Sequence, residues 1–131
     1  MNSKISCIVP VYNEGKRVGG VLKVLIGHPM VNEVIVVNDG SSDDSERVLK
    51  KIKGIRLISY KKNRGKTLAM KMGFEAAKNN LVMTIDSDLV GLSREAIGEL
   101  IEPVKRGRAA VSISLRKNSL GIFKLLGLDF V

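Results

Sequence analysis

Two aspartates, Asp86 and Asp88, have the residue type and spacing that most clearly indicate chemistry in this chain. They follow an apolar run at 81–85, which has the composition of a buried strand. Carboxylates at the carboxyl end of a strand lie where open α/β sheets bind ligands, and their oxygens suit hard cations that share ligands with phosphates. The pair therefore predicts a site for a divalent cation such as Mg²⁺, with an ordinary aspartate turn as the alternative.

Strand-like and helix-like patterns alternate along the sequence, and the elements that they predict would position the aspartate pair. Strands are predicted at 4–11, 33–38, 55–60, 81–85 and 109–115, with helices at 15–26, from 42 or 43 to 53, at 66–79 and after Ser93. This alternation with short connections predicts an α/β fold, a mainly parallel sheet of about five strands with helices on both faces in a three-layer sandwich. The segment 120–131 has the pattern of an apolar helix. No linker or repeat divides residues 1–131, so we expect a single domain.

Polar residues occupy the four loops that follow the first four predicted strands. In a doubly wound parallel sheet these loops lie at one edge. They carry the aromatic ring of Tyr12, the carboxylate of Asp39, the ammonium group of Lys66 and the aspartate pair. Each loop alone is explained as a turn that caps a helix. Together they supply the groups needed to hold a base, a ribose and a diphosphate.

The segments PVYNE, VIVVNDGSSDD, NRGKTLAMKMGFEAA and MTIDSD, in this order, resemble those of family 2 glycosyltransferases, which include the dolichyl-phosphate sugar synthases. The resemblance covers residues 4 to about 115. It implies the Rossmann-like GT-A fold and a metal-dependent transfer of sugar from a UDP- or GDP-sugar. It also implies Mg²⁺ or Mn²⁺ as cofactor. The acceptor is unknown, with a lipid phosphate or a saccharide as the expected classes.

The resemblance further implies which residues bind the donor and the metal. Those expected around the base, the ribose and the phosphates are Pro10, Tyr12, Glu14, Asp39, Gly65, Lys66 and Asp86. Asp88 is expected to be the direct metal ligand, with Asp86 as the second metal-binding and catalytic carboxylate. Asn38 stands where many members have an aspartate, and we expect it to be tolerated because Asp39 supplies the base contact.

The catalytic base of inverting members lies beyond the fifth strand, where this chain has only the segment 120–131. We therefore expect a nucleotide-sugar-binding domain that lacks the acceptor-binding C-terminal half. The alternative function is a catalytically incomplete nucleotide-sugar-binding module or fragment. The apolar segment 120–131 is expected to support a homodimer, a partner contact or peripheral membrane binding.

The net positive charge of the chain limits the kinds of molecule that it is expected to bind. The chain has 22 Lys and Arg against 13 Asp and Glu, a net charge of +9. One basic cluster, at 61–78, faces the predicted ligand loops, and a second, at 105–124, is expected to face a phosphate-bearing acceptor or an anionic membrane. Two Tyr, three Phe and no Trp offer few stacking platforms, and no Cys/His finger is present, so no nucleic-acid partner is expected.

The lone cysteine, Cys7, lies in an apolar stretch and excludes an intramolecular disulfide, which favours the cytoplasm, including the inner face of the membrane. His28, which precedes a proline, is predicted to be a solvent-facing loop residue. Two other classes remain as alternatives. A P-loop NTPase would need glycine where Tyr60 stands. A phosphatase of the haloacid-dehalogenase type would carry its Asp-x-Asp motif on the first strand instead of the fourth.

Overall fold

Four parallel strands form the part of the sheet that bears the predicted loops. The computed structural model describes residues 4–107, 111–115 and 122–126. In chain order the elements are β1 (Ile5–Val11), α1 (Val18–Leu25), β2 (Glu33–Asp39), α2 (Ser45–Lys50), β3 (Arg56–Tyr60), α3 (Lys66–Ala76), β4 (Leu81–Thr84), α4 (Arg94–Lys105), β5 (Val111–Leu115) and β6 (Ile122–Leu126). The strand order is β3-β2-β1-β4-β6-β5. Strands β1 to β4 pair in parallel, whereas β6 is antiparallel to both β4 and β5.

Helices cover both faces of the sheet because β1 and β2 are apolar on both sides. All seven residues of β1 are buried. On one face, Ala69 of α3 packs against Ile8, Ile35 and Val37. On the other, the apolar sides of α1 and α4 pack against the alternate residues of the same strands. Gly73 permits the close approach of α3, since a Cβ there would lie 2.4 Å from Ile8. The predicted α/β sandwich is confirmed.

The prediction of an apolar helix at 120–131 is wrong where the structure describes that segment. Residues Ile122–Leu126 form β6, which inserts between β4 and β5 and brings the sheet to six strands. A short apolar run does not reveal by periodicity whether it is helix or strand. Pairing with β4 and β5 favours the strand conformation for this segment, because a strand between two others can hydrogen-bond its backbone groups on both sides. The rest of the segment lies outside the described residues, as do the dimer and membrane contacts expected of it.

His28 is buried, which contradicts its prediction as a solvent-facing residue. It is 6% exposed, and its Nδ1 accepts a hydrogen bond from the Met30 amide at 3.0 Å. Because Nδ1 accepts, Nε2 carries the proton and donates to the Arg94 carbonyl at 2.9 Å. The imidazole therefore joins the loop after α1 to the beginning of α4. A pairing 66 residues apart in sequence is not visible in the local pattern.

Cys7 is a core residue, as predicted, and burial raises the pKa of its thiol. In the described part of the chain, no helix has the length and apolar character needed to cross a membrane.

Candidate functional site

The aspartate pair follows β4 in a segment where buried and accessible side chains alternate. Past the end of the strand, the Ile85 amide donates to the Ile8 carbonyl at 3.0 Å, and Ser87 and Asp88 lie in a turn. Ile85, Ser87 and Leu89 are 1%, 7% and 7% exposed. The residues between them, Asp86 and Asp88, are half-buried and exposed. This alternation holds the segment in the core while both carboxylates reach solvent at the carboxyl edge of the sheet.

Lys66 joins the aspartate pair at this edge. It is the first residue of α3, and its Nζ forms an ion pair with Oδ1 of Asp86. The Lys66 side chain is 60% exposed and that of Asp86 is 20% exposed. Asp88 has no ion-pair or hydrogen-bond partner among the residues that the structure describes. Among the described residues, this edge thus carries the ammonium group of Lys66, the carboxylate of Asp86 that pairs with it, and the carboxylate of Asp88, which has no partner.

The donor set fits a hard divalent cation that is completed by its substrate. Within the described ranges, no group of three or more His, Cys, Asp and Glu residues is placed to hold a metal. Among these residues, the aspartate pair supplies the two carboxylates that lie at this edge. Mg²⁺-like ions are commonly bound by one or two carboxylates, with substrate phosphates and waters as the other ligands. Two carboxylates beside an ammonium group match that mode of binding.

Asp39, at the end of β2, is buried and accepts hydrogen bonds from the loop after β3. The residue is 3% exposed. Its Oδ1 accepts from the Tyr60 hydroxyl at 2.6 Å and from the Arg64 amide at 2.8 Å. Its Oδ2 accepts from Asn63 Nδ2 at 3.0 Å and from the Gly65 amide at 2.9 Å. The base contact expected of Asp39 stays a prediction, while the structure gives this carboxylate four partners of its own.

Gly40 allows the loop to cross directly over the end of β2. Its φ is +66°, in the left-handed region that glycine adopts most easily. A Cβ at this position would lie 2.2 Å from the Asn63 amide nitrogen and 2.4 Å from the Lys62 carbonyl carbon. Both neighbours are backbone atoms and have little freedom to move. The glycine of the DGS turn is therefore required by the crossing of two loops.

Asn13 fastens the loop after β1 to the loop after β2 and so supports Tyr12. Its Oδ1 accepts from the Ser42 amide at 2.8 Å and the Asp43 amide at 3.2 Å. Its own amide donates to the Ser41 hydroxyl at 2.9 Å, and its φ is 53°. The adjacent Tyr12 is 48% exposed and offers its ring to solvent. The helices that follow these loops, α1 and α2, begin later than predicted, at Val18 and Ser45.

The remaining predicted residues are not equally accessible. Pro10 is buried within β1, beside Val37 in the register, so its ring does not reach the open surface. Glu14 is half-buried, and its carboxylate lies 3.7 Å from Arg17. Gly65 has a φ of 99° and precedes α3, where no side chain is close to the space of a Cβ. Their contacts with a donor stay predictions.

Tyr60 and Asn63 both bond Asp39 at this edge, although the sequence pattern did not indicate either contact. Tyr60, which stands where a P-loop would need glycine, lies opposite Asp39 in the β2–β3 register. Burial, the hydrogen bond to Asp39 and the Asp39 charge raise the pKa of the Tyr60 phenol. A parallel pairing of β2 and β3 with both residues at their carboxyl ends was the signal that could have found this contact.

Much of the basic cluster at 61–78 flanks the site. Lys61, Lys62 and Arg64 are exposed in the loop that Asp39 holds. Lys71, further along α3, pairs with Glu75 at 3.8 Å. Of the second cluster, at 105–124, Arg106 pairs with Glu102, and most other members lie outside the residues whose side chains are described.

The chain is similar to glycosyltransferases in sequence and in structure. A family model described as glycosyl transferase family 2 matches residues 6–125. Identity is 28% with dodecaprenyl-phosphate galacturonate synthase of Rhizobium johnstonii, over 88% of this chain and 36% of that protein. Identity is 33% with undecaprenyl-phosphate 4-deoxy-4-formamido-L-arabinose transferase of Aeromonas hydrophila, over 87% of this chain and 37% of that protein. The chain thus spans little more than a third of these relatives.

The solved structures to which it is similar include glucosyl-3-phosphoglycerate synthase from Mycobacterium tuberculosis. The complex of that enzyme with UDP aligns with a TM-score of 0.72 and 26% identity, over 83% of this chain and 42% of the other. The complex with Mn²⁺, UDP and glucosyl-3-phosphoglycerate aligns with a TM-score of 0.69 and 27% identity, over 78% and 39%.

Proposed function

This chain belongs to glycosyl transferase family 2, as its motifs predicted, and we propose that it binds a nucleoside-diphosphate sugar at the carboxyl edge of its sheet. In this proposal it is the donor-binding part of an enzyme that transfers the sugar with the help of a divalent cation. The family membership argues against a P-loop NTPase and a phosphatase of the haloacid-dehalogenase type.

One observation carries the proposal: Asp88 has an exposed carboxylate with no partner among the described residues, two positions from Asp86, whose carboxylate already pairs with Lys66. A diphosphate needs positive charge from both a metal ion and the protein. The carboxylates would hold the metal, and Lys66 would supply the second charge from the first turn of α3. The N-terminus of a helix also favours anions, because its free amides point outward.

Each donor-binding residue has a distinct role in the proposal. The exposed ring of Tyr12 would stack on the base, in the manner of aromatic platforms for nucleobases. Asp88 and Asp86 would hold Mg²⁺ or Mn²⁺, which when bound supplies Lewis-acid stabilisation of the leaving diphosphate. Lys66 would neutralise part of the same developing charge as a point charge.

We propose UDP as the nucleotide and a polyprenyl phosphate as the acceptor class. The UDP complexes of the mycobacterial synthase support the nucleotide. The names of the two relatives, a dodecaprenyl-phosphate synthase and an undecaprenyl-phosphate transferase, support the acceptor. A lipid acceptor would bring the protein to the cytoplasmic face of a membrane, where its +9 net charge favours an anionic surface.

Thermal unfolding of Asp88→Asn tests the metal-binding role. A ligand at about 100 times its Kd stabilises the folded state by about 2.7 kcal/mol. UDP with Mn²⁺ should therefore raise the Tm of the wild type by several degrees. Asp88→Asn should keep the Tm of the free protein and lose this rise, because the substituted side chain is exposed and has no partner in the described part of the chain.

Glu99→Gln is the matched control, because it removes one exposed carboxylate from α4, away from the aspartate pair. It should retain the full rise in Tm. If Asp88→Asn is stabilised by UDP and Mn²⁺ as strongly as this control, Asp88 does not hold the metal.

A further inference from the structure

The positive charge of the chain is concentrated in one continuous segment, residues 47–74. This segment holds ten of the 22 Lys and Arg residues and none of the 13 Asp and Glu residues. The rest of the chain carries the other 12 Lys and Arg against 13 Asp and Glu, a balance of −1, so the segment's charge of +10 accounts for the whole net charge of +9. Solubility alone does not require the charge to be gathered in one part of the sequence.

In the fold, this segment forms one outer side of the sheet. It comprises most of α2, all of β3 and most of α3. β3 is the last strand on its side of the sheet and pairs there with β2 alone. The positive charge therefore lies along a single side of the molecule, which we call the basic edge.

Ion pairs within the protein neutralise only half of the cations on the basic edge. Five of the ten form ion pairs with Asp or Glu. The other five are exposed and have no acidic partner among the residues that the structure describes; they are Lys51, Lys53, Lys61, Lys62 and Arg64. Two of these precede β3 and three follow it. An anionic partner would find free cations at both ends of the outermost strand.

The distance between the two groups of free cations indicates the size of that partner. β3 has five residues, which at about 3.3 Å per residue separates the groups by about 17 Å. Arg56, the first residue of β3, lies between them, is exposed and forms only a long ion pair with Glu33, at 3.9 Å. A single phosphate group cannot contact both groups, whereas an extended anionic surface can.

An anionic membrane fits the basic edge better than nucleic acid does. Proteins that bind single-stranded nucleic acid stack bases on exposed aromatic rings. The basic edge has two aromatic residues, Tyr60 and Phe74, and both are half-buried against the core. Attraction to anionic lipids needs only Lys and Arg near the surface, and each contributes about fivefold to the affinity.

We propose that the basic edge is a membrane-contact surface, on which the free cations at the two ends of β3 bind the headgroups of anionic lipids. The group at 61–64 belongs to the loop that leads to Lys66, so this contact places the donor site beside the lipid surface. The inference rests on the proposed function for its purpose, since a lipid acceptor is what brings a donor site to a membrane. Its evidence is the charge and placement of the basic edge.

Cosedimentation with vesicles tests the proposal, at about 0.1 M NaCl and without nucleotide or metal. The vesicles contain phosphatidylglycerol and phosphatidylcholine, with pure phosphatidylcholine as the uncharged comparison. One double variant, Lys51→Gln with Lys53→Gln, removes the free cations before β3. A second, Lys61→Gln with Lys62→Gln, removes two of those after it. We expect each to bind the anionic vesicles about 25-fold more weakly than the wild type, and we expect no binding to pure phosphatidylcholine.

Lys23→Gln with Arg94→Gln is the matched control, because it removes the same charge from α1 and α4. Both side chains are exposed and have no acidic partner in the described part of the chain. This variant should keep most of the wild-type affinity for the vesicles. Equal losses in all three double variants would mean that only the net charge matters, and would overturn the proposal. So would a wild type that does not bind the anionic vesicles, or that binds single- or double-stranded DNA more tightly than these vesicles at the same salt.

The failure of this inference is distinguishable from that of the proposed function. Lys51 and Lys53 precede β3, at the end of the strand opposite the donor loops, so their double variant should bind UDP with Mn²⁺ as tightly as the wild type. A wild type that binds anionic vesicles but no UDP contradicts the proposed function alone. A wild type that binds UDP but no anionic vesicles contradicts the membrane-contact surface alone.

Discussion

The loop at 62–65 crosses Gly40 at a distance that leaves no room for a side chain, and this single position can be tested by substitution. Gly40→Ala adds a Cβ that would lie 2.2 Å from the Asn63 amide nitrogen, in a residue with φ +66°. We expect it to lower the free energy of unfolding through both the backbone conformation and the clash. It should also weaken UDP binding, because the loop that leads to Lys66 must move.

Gly27→Ala is a control matched in backbone conformation. Gly27 has a φ of +79° but open space around the position of a Cβ. The Gly27→Ala substitution should therefore lower the free energy of unfolding only through the left-handed backbone conformation, by about 1–2 kcal/mol. Urea unfolding should show a larger loss for Gly40→Ala than for Gly27→Ala. Equal losses would mean that the crossing at Gly40 has no energetic consequence.

At this scale the local pattern indicated that the aspartate pair is accessible but did not indicate the hydrogen-bond partners of Asp39, and the roles of all three residues in binding stay predictions. Apolar and polar residues alternate through Ile85 and Leu89, so the outward direction of Asp86 and Asp88 follows from local pattern. The partners of Asp39 depend on the pairing of β2 with β3 and on a loop that returns 24 to 26 residues later. No local pattern contains that information.

At the scale of elements, the junction between the loops after β1 and β2 should control nucleotide binding through Tyr12. Asn13→Gly keeps a residue that tolerates φ 53° but removes the Oδ1 acceptor for the Ser42 and Asp43 amides. We expect UDP affinity to fall about fivefold to tenfold, on the order of 1 kcal/mol or slightly more, because Tyr12 loses its support. Calorimetry with UDP and Mn²⁺ measures this.

Asn13→Asp is the conservative counterpart, because it keeps an oxygen acceptor for both amides. Its UDP affinity should lie near that of the wild type. If Asn13→Gly binds UDP as tightly as Asn13→Asp, the junction does not support the ring of Tyr12.

Among the elements, those buried on both faces were the most predictable. β1 and β2 are continuous apolar runs, and the apolar spacing of α1 and α4 indicated their core-facing sides. The strand β6 was missed because its pairing with β4 and β5 is determined by distant parts of the chain. The burial of His28 was missed for the same reason, since its partner is the carbonyl of Arg94 at the start of α4.

At the scale of the whole molecule, one edge of the sheet concentrates the features expected of a donor site. The exposed Asp88, the Lys66–Asp86 ion pair and the exposed Tyr12 lie in or beside three of the loops that follow parallel strands. Exposed cations at Lys61 and Lys62 add positive charge beside them, in agreement with an anionic ligand.

Titration of UDP into the wild-type chain by calorimetry, first with Mn²⁺ and then after chelation with EDTA, shows whether this edge of the sheet binds the nucleotide through a metal. We expect saturable binding of one UDP per chain in the presence of Mn²⁺. Affinity should fall strongly after chelation, because the carboxylates of Asp86 and Asp88 then face the diphosphate without a cation between them. Absence of UDP binding, or binding that is equally tight without the metal, would contradict it.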